Sequence, residues 1–200
     1  MKALVLLSGG VDSATCLGLA VREYGAAEVS ALSVYYGQTH SKELDAAKKV
    51  ADFYGVVLKR LDLSVIFEGS DCSLLAESPN DIPLQSYTEQ LSLTGGKPVS
   101  TYVPFRNGLF LSAAASVALS RGCEVIYYGA HGDDAAGNAY PDCSEKFNSA
   151  MSEAIYIGSG EQIKIFAPFV NLNKSLVVKK GLELGVPYKY TCNCYSGGGK

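Results

Sequence analysis

The stretch Ala3-Leu4-Val5-Leu6-Leu7, followed at once by Ser8-Gly9-Gly10-Val11-Asp12-Ser13, decides the fold. The first five residues form an apolar run of strand length, and the next six contain two glycines at the point where a helical pattern begins. Glycine lets the backbone turn sharply and approach a ligand, and successive N–H groups in such a turn make a concave nest for an anion. Ser8 and Ser13 add hydroxyls, and the helix that opens near Asp12 adds the positive end of its dipole. In open α/β sheets ligands sit beyond the carboxyl ends of the strands, where this loop falls. The loop lacks the G-x-x-x-x-G-K-[ST] pattern and its lysine, so it is not a Walker A loop.

Working outward, Val29–Tyr35 and Val56–Leu61 read as further strands, with helical segments between them. The second of these, Lys42 to Tyr54, places Leu44, Ala47, Ala51 and Tyr54 on one face. Residues 67–104 break the rhythm with Pro79, Pro83, Gly95-Gly96 and Pro98 and are expected to form an irregular insertion, with Tyr87 and Tyr102 in a lid. An alanine- and serine-rich helix is predicted from Asn107 to about Arg121, a fourth strand at Val125–Tyr128, a helix at Glu145–Ile157 and a short strand at Ile163–Phe166. Asn173 can cap a last helix with Val177, Gly181 and Leu184 on one face, stopped by Gly185 and Pro187. The pattern predicts one α/β domain over residues 1–200, with a Rossmann-like doubly wound parallel sheet of about five strands and helices on both faces.

Composition narrows the function classes. Hydrophobic residues make up 48% of the 200 residues and charged residues 18%, which suits a packed core rather than a disordered chain. With 17 basic and 20 acidic side chains the net charge is −3, so no global basic field exists to hold nucleic acid. The apolar runs are far shorter than the ~20 residues of a membrane span, and Met1-Lys2 leads into the first without a signal-peptide layout; a cytoplasmic protein is expected. The six cysteines are scattered, which favours thiols or metal ligands over a disulfide framework. Cys16, Cys72 and Cys123 read as buried apolar side chains.

The Ser8–Ser13 loop resembles the S-G-G-x-D-S loop of the ATP pyrophosphatases, enzymes that cleave ATP between its α and β phosphates and adenylate a substrate oxygen. Within that superfamily, four further stretches are similar to the 7-cyano-7-deazaguanine synthase family: Tyr36-Gly37-Gln38-Thr39-His40-Ser41-Lys42-Glu43-Leu44, Pro104-Phe105-Arg106-Asn107, Tyr140-Pro141-Asp142-Cys143 and Thr191-Cys192-Asn193-Cys194-Tyr195. The resemblance implies a queuosine-pathway ligase of the adenine nucleotide alpha hydrolase-like fold, acting on 7-carboxy-7-deazaguanine, ammonia and ATP as a homodimer. A chain of this length predicts free ammonia as nitrogen donor.

Arg106 and Lys174 are the cations expected on the phosphates; the plainer alternatives are a carboxylate-paired loop arginine and a solvated first-turn lysine. Asp12 is the expected protein partner of Mg²⁺, or a plain helix N-terminal carboxylate. The resemblance implies a nucleotide-binding segment of Leu7, Ser8, Gly9, Gly10, Val11, Asp12, Ser13, Ala14, Thr15, Cys16 and Leu17, with adenine near Ser33 and Tyr35. Asp133, Asp134, Tyr140 and Asp142 are candidates to read the deazaguanine ring, although aspartates are also common turn formers. His40 and His131, the two histidines, could shuttle a proton or be structural. The family's structural Zn²⁺ site implies Cys194 as its first ligand, with the other cysteines expected beyond Lys200; the alternative is that the site is lost. The alternatives left open are a tRNA-base-modifying relative of thiolase or lysidine ligase type, and a nucleotide sensor without turnover.

Overall fold

The computed structural model describes residues 1–39, 42–80, 89–90, 92, 98–132 and 139–192. In chain order its main elements are β1 (Ala3–Leu6), α1 (Val11–Tyr24), β2 (Val29–Tyr35), α2 (Lys42–Tyr54), β3 (Val57–Asp62), α3 (Arg106–Ser120), β4 (Val125–Tyr127), α4 (Glu145–Gly158), β5 (Lys164–Phe166) and α5 (Lys174–Glu183). The strands form one sheet in the order β3-β2-β1-β4-β5, and every pair is parallel.

β1 is central because all four of its residues are apolar and buried on both faces. Ala3 pairs with Val29 of β2 on one side and Val125 of β4 on the other. Successive side chains alternate across a strand. Ala3, Val5 and Leu7 accordingly enter a core with α1, α2 and α5, whereas Leu4 and Leu6 enter one with Leu111, Ala114 and Ala118 of α3. The doubly wound parallel sheet with helices on both faces is therefore the one expected from the sequence.

Small residues set how closely the helices approach. A Cβ on Gly18 of α1 would lie 3.0 Å from the Tyr54 hydroxyl and from Val186 Cγ2. Two helices carry side-chain N-caps: Asn173, as expected, accepts from Leu176 N at 3.0 Å, and Ser144 accepts from Phe147 N at 3.1 Å. Val177 and Gly181 are buried on α5 as its period predicts, and Leu184 packs partly against the same core.

Element ends differ from the sequence reading by a residue or so. β3 runs Val57–Asp62, β4 stops at Tyr127, and α3 begins at Arg106 because Asn107 N, in its first turn, donates to the distant Asp142 carboxylate at 2.8 Å. The described parts of the 67–104 segment have a small core of their own, in which Phe67, Cys72, Leu74, Leu75 and Val103 pack on Tyr36. An antiparallel bridge between Gln38 and Leu75 ties the segment to the end of β2. Tyr102 accepts from Phe105 N at 2.9 Å, whereas Tyr87 lies outside the described residues. No described helix is long and apolar enough to cross a membrane.

Candidate active site

The strand order reverses direction between β1 and β4, and a cleft opens there beyond the carboxyl ends of the strands. One wall is the Ser8–Ser13 loop. Gly9 takes φ +92°, and a Cβ there would lie 2.2 Å from the Glu43 carbonyl oxygen, so the loop can press onto the first turn of α2 only with glycine at this position. Ser13 Oγ donates to Gly10 O at 3.1 Å and accepts from Ser8 N at 3.2 Å, and Gly10 N donates to Ser8 Oγ at 3.3 Å. These short-range bonds hold the turn in shape.

Asp12, in the first turn of α1, joins three elements. Its Oδ2 accepts a hydrogen bond from Lys174 Nζ and stands 3.7 Å from His131 Nε2. Lys174 opens α5, where the helix dipole disfavours a cation, and the Asp12 carboxylate offsets that cost. The Asp12 Oδ1 atom is buried and has no hydrogen-bond partner among the described residues. His131 arrives from the segment after β4, which passes α1 through Gly129: a Cβ there would lie 3.2 Å from Ser13 N. The loop, Lys174 and His131 are thus gathered around one carboxylate.

The opposite wall carries Arg106. Its guanidinium lies 5.4 Å from the Tyr36 ring centroid and 6.0 Å from that of Phe110, and it donates to the Tyr36 hydroxyl at 3.3 Å. Stacking on two rings orients the planar cation in a partly desolvated place. Phe105, which precedes it, takes the left-handed φ of +53° as the N-cap of α3. Asp142 is 3% exposed and caps this helix through Asn107 N, while Asn107 Nδ2 donates to Asp142 O at 3.2 Å and to Cys143 Sγ at 3.2 Å. Burial raises the Asp142 carboxyl above its ordinary value, against the pull of the Asn107 N–H and the Arg106 charge. The Tyr128 hydroxyl, pushed well up by burial, donates to Asp142 O at 3.3 Å.

Asp12, Ser8, Ser13 and Arg106 line the one cleft, with Lys174 bonded to Asp12 at its edge. Ala14, Thr15, Cys16 and Leu17 are fully buried inside α1, behind the loop rather than in it. Ser33 is 1% exposed and lies one residue out of phase with Leu32 and Val34, which line the cleft; Tyr35 borders a neighbouring hollow with Phe67 and Leu75. Tyr140 is buried, its hydroxyl 2.6 Å from Thr101 Oγ1. Asp133, Asp134, His40 and Cys194 lie outside the described residues. Among the described residues no group of three or more His, Cys, Asp or Glu could hold a metal ion. Cys16, Cys72 and Cys123 are buried, with burial raising each thiol.

Sequence reasoning gave no role to Gln38, Phe110 or Tyr128, which also line the cleft. Gln38 had a signal, since it follows β2 within a polar turn; its Oε1 accepts from Tyr36 N at 2.8 Å. Phe110 and Tyr128 look like core residues in the sequence, and only packing brings them to Arg106 and Asp142.

Residues 2–200 match the family described as Queuosine biosynthesis protein QueC. Among curated relatives, a 7-cyano-7-deazaguanine synthase of Caldicellulosiruptor bescii is 40% identical over 200 residues, covering 100% of this chain and 86% of that protein. One of Archaeoglobus fulgidus is 39% identical over 199 residues, covering 99% and 79%. Among solved structures, an NMN synthetase from Francisella tularensis superposes with TM-score 0.56 at 20% identity over 94% of this chain and 63% of its own. The U34-tRNA thiolase NcsA from Methanococcus maripaludis, solved with its [4Fe-4S] cluster, gives 0.55 at 20% identity over 98% and 60%. At that identity the two structures share the fold with this chain.

Proposed function

The chain belongs to the queuosine biosynthesis protein QueC family, and from that premise we propose that it converts 7-carboxy-7-deazaguanine and ammonia to 7-cyano-7-deazaguanine at the expense of ATP. The observation that carries this reading is the meeting, in one cleft, of the Ser8–Ser13 loop with the Asp12–Lys174 pair and the stacked Arg106.

In this reading the loop N–H groups and the start of α1 receive the phosphates of ATP. The substrate carboxylate attacks the α-phosphorus, the α–β bridging P–O bond breaks, and pyrophosphate leaves into the nest. Lys174 and Arg106 stabilise the charge that develops on the leaving group, a contribution that fixed donors make without reorganising. Ammonia then attacks the acyl-adenylate carbon and AMP departs, leaving the amide. A second ATP adenylates the amide oxygen, and loss of AMP and two protons forms the nitrile. One cleft thus serves two adenylations, and the protein's part is positioning and electrostatics.

Mg²⁺ fits the site: the buried Oδ1 of Asp12 has no hydrogen-bond partner among the described residues, and a single carboxylate is a normal protein contribution to this ion. When bound, Mg²⁺ neutralises phosphate charge. For Zn²⁺ the proposed ligand is Cys194, beyond the described residues, and no step depends on it. Reading of the deazaguanine ring is assigned to Asp133 and Asp134, which follow β4, while the buried Tyr140 and Asp142 support that side of the cleft, Asp142 through the first turn of α3. His131, beside Asp12, is within reach of a proton passed near the phosphates.

The test is mass spectrometry of full-length protein incubated with Mg-ATP, ammonium and 7-carboxy-7-deazaguanine. AMP, pyrophosphate and the nitrile are expected together, two AMP per nitrile. Folded protein that yields neither AMP nor nitrile would sink the assignment, and a tRNA base would be the next acceptor tried.

A further inference from the structure

Besides the Lys174–Asp12 pair, a main-chain bond reaches the loop from far along the chain: Cys192 N donates to the Gly9 carbonyl oxygen at 2.9 Å. Gly9 O and Gly10 N belong to the same peptide unit. In a trans peptide the C=O and N–H point in opposite directions. A donor that holds Gly9 O on the outside therefore holds the Gly10 N–H toward the inside, where it meets Ser8 Oγ at 3.3 Å. A peptide between two glycines has little steric preference of its own, because neither residue has a Cβ to bar the alternative dihedrals. Rotated the other way, it would aim a carbonyl oxygen at the phosphates and repel them.

The donor is itself anchored on both neighbouring helices. The Tyr188 hydroxyl lies 2.8 Å from Thr15 Oγ1 of α1, and Tyr190 packs on Phe53 of α2 with ring centroids 6.3 Å apart. Gly181 of α5 makes room for Tyr188: a Cβ there would lie 1.7 Å from its hydroxyl oxygen. Between them, Thr191 N donates to Tyr188 O at 3.0 Å, closing the turn that presents Cys192.

We propose that the segment Tyr188–Cys192 is a latch on the phosphate loop, its Cys192 N–H keeping the Gly9–Gly10 peptide in the orientation that accepts an anion. Cys192 is thus a positioning residue that acts through its backbone, and its thiol is not needed. The latch rests on the reading of the loop as the phosphate site of ATP.

The experiment compares full-length wild type with Cys192→Pro, which removes the N–H, and Cys192→Ala, which keeps it. Loss of this bond is expected to weaken Mg-ATP binding, by calorimetry, about tenfold. The KM for ATP should rise by the same factor with kcat at saturating ATP retained, and Cys192→Ala should restore the wild-type values. Should Cys192→Pro fail to fold, hydrogen exchange on wild type decides: added ATP should slow exchange in the 188–192 peptide together with the 8–13 loop. Equal ATP affinity in all three proteins, a proline variant that loses kcat with KM unchanged, or protection confined to the loop would overturn the latch alone. A wild type that binds no ATP would overturn the reading beneath it and the latch with it.

Discussion

The loop wall of the cleft comes from six consecutive residues, Ser8 to Ser13, closed by bonds that span at most five positions. The facing wall takes Tyr36 from the end of β2 and Arg106 with Asn107 from the start of α3, backed by the buried Asp142 of the turn before α4, and is joined by bonds that span 35 and 70 positions. Short-range bonds form at little loop-closure cost, so the turn of the first wall is shaped mostly within its own sequence, while α2, Lys174 and the Cys192 N–H hold it from outside. The second exists only when β2, α3 and the 141–143 turn are already packed. The comparison separates a local anion nest from an assembled cation, and variants on each side should fail differently.

The largest effect is expected from Gly9→Ala. A Cβ would meet the Glu43 carbonyl at 2.2 Å with φ at +92°, and neither backbone can yield cheaply. Denaturant unfolding should show a loss of about 2–4 kcal/mol, with nucleotide binding abolished. A variant that binds ATP normally would show that the loop is not held against α2 as described.

Lys174→Ala should spare the fold and damage the reaction. Its Nζ is bonded to Asp12 at the edge of the nest, so kcat/KM in the nitrile assay should fall about 10²–10³-fold. Melting should be little changed, because the lysine is on the surface of α5's first turn.

Asp142 tests whether the second wall is built by packing. Asp142→Ala removes the cap on Asn107 N and should cost about 1–2 kcal/mol in chemical denaturation, whereas Asp142→Asn keeps an acceptor and should cost less. The pH dependence has a definite sign. Burial holds this carboxyl above its ordinary 3.8, so the folded chain keeps the proton where the unfolded chain has released it. Its favourable contribution is complete below the unfolded value and is lost as pH rises through the folded one. The stability difference between wild type and Asp142→Asn should therefore move toward the variant as pH is raised across that window. An unchanging difference would mean that the carboxyl is not titrating in the fold.

The smallest effect belongs to Tyr36→Phe. It removes an acceptor at 3.3 Å from the Arg106 guanidinium but leaves the ring beneath it. A loss of about two- to threefold in kcat/KM is expected. A loss as large as that of Lys174→Ala would show that the hydroxyl, and not the stacking, fixes the arginine.

The sheet, its doubly wound architecture and the glycine turn between β1 and α1 could all be read from the chain because each rests on a short-range pattern. Short, mostly apolar runs mark β1 and β2, a three-and-four period marks α2 and α5, and two glycines between strand and helix mark the turn. The part of the nucleotide segment from Ala14 to Leu17 lies in a stretch of α1 that is buried on every face, which no one-sided period in the sequence announces. Nor could the two faces of β2 be assigned from sequence to their tasks: Leu32 and Val34 line the cleft, and Ser33 lies between them, out of phase.

What the sequence by itself determined is the set of elements, their parallel stacking and the tight glycine turn between β1 and α1, since local sterics and strand-by-strand burial suffice for these. Tertiary structure alone decided that Lys174 and His131 meet at Asp12, that Arg106 stacks on Tyr36 and Phe110, that Asp142 serves first as the cap of α3, and that the Cys192 N–H reaches Gly9. Each of those contacts joins residues far apart in the chain, and such pairs acquire their geometry only from the packing of the elements that carry them.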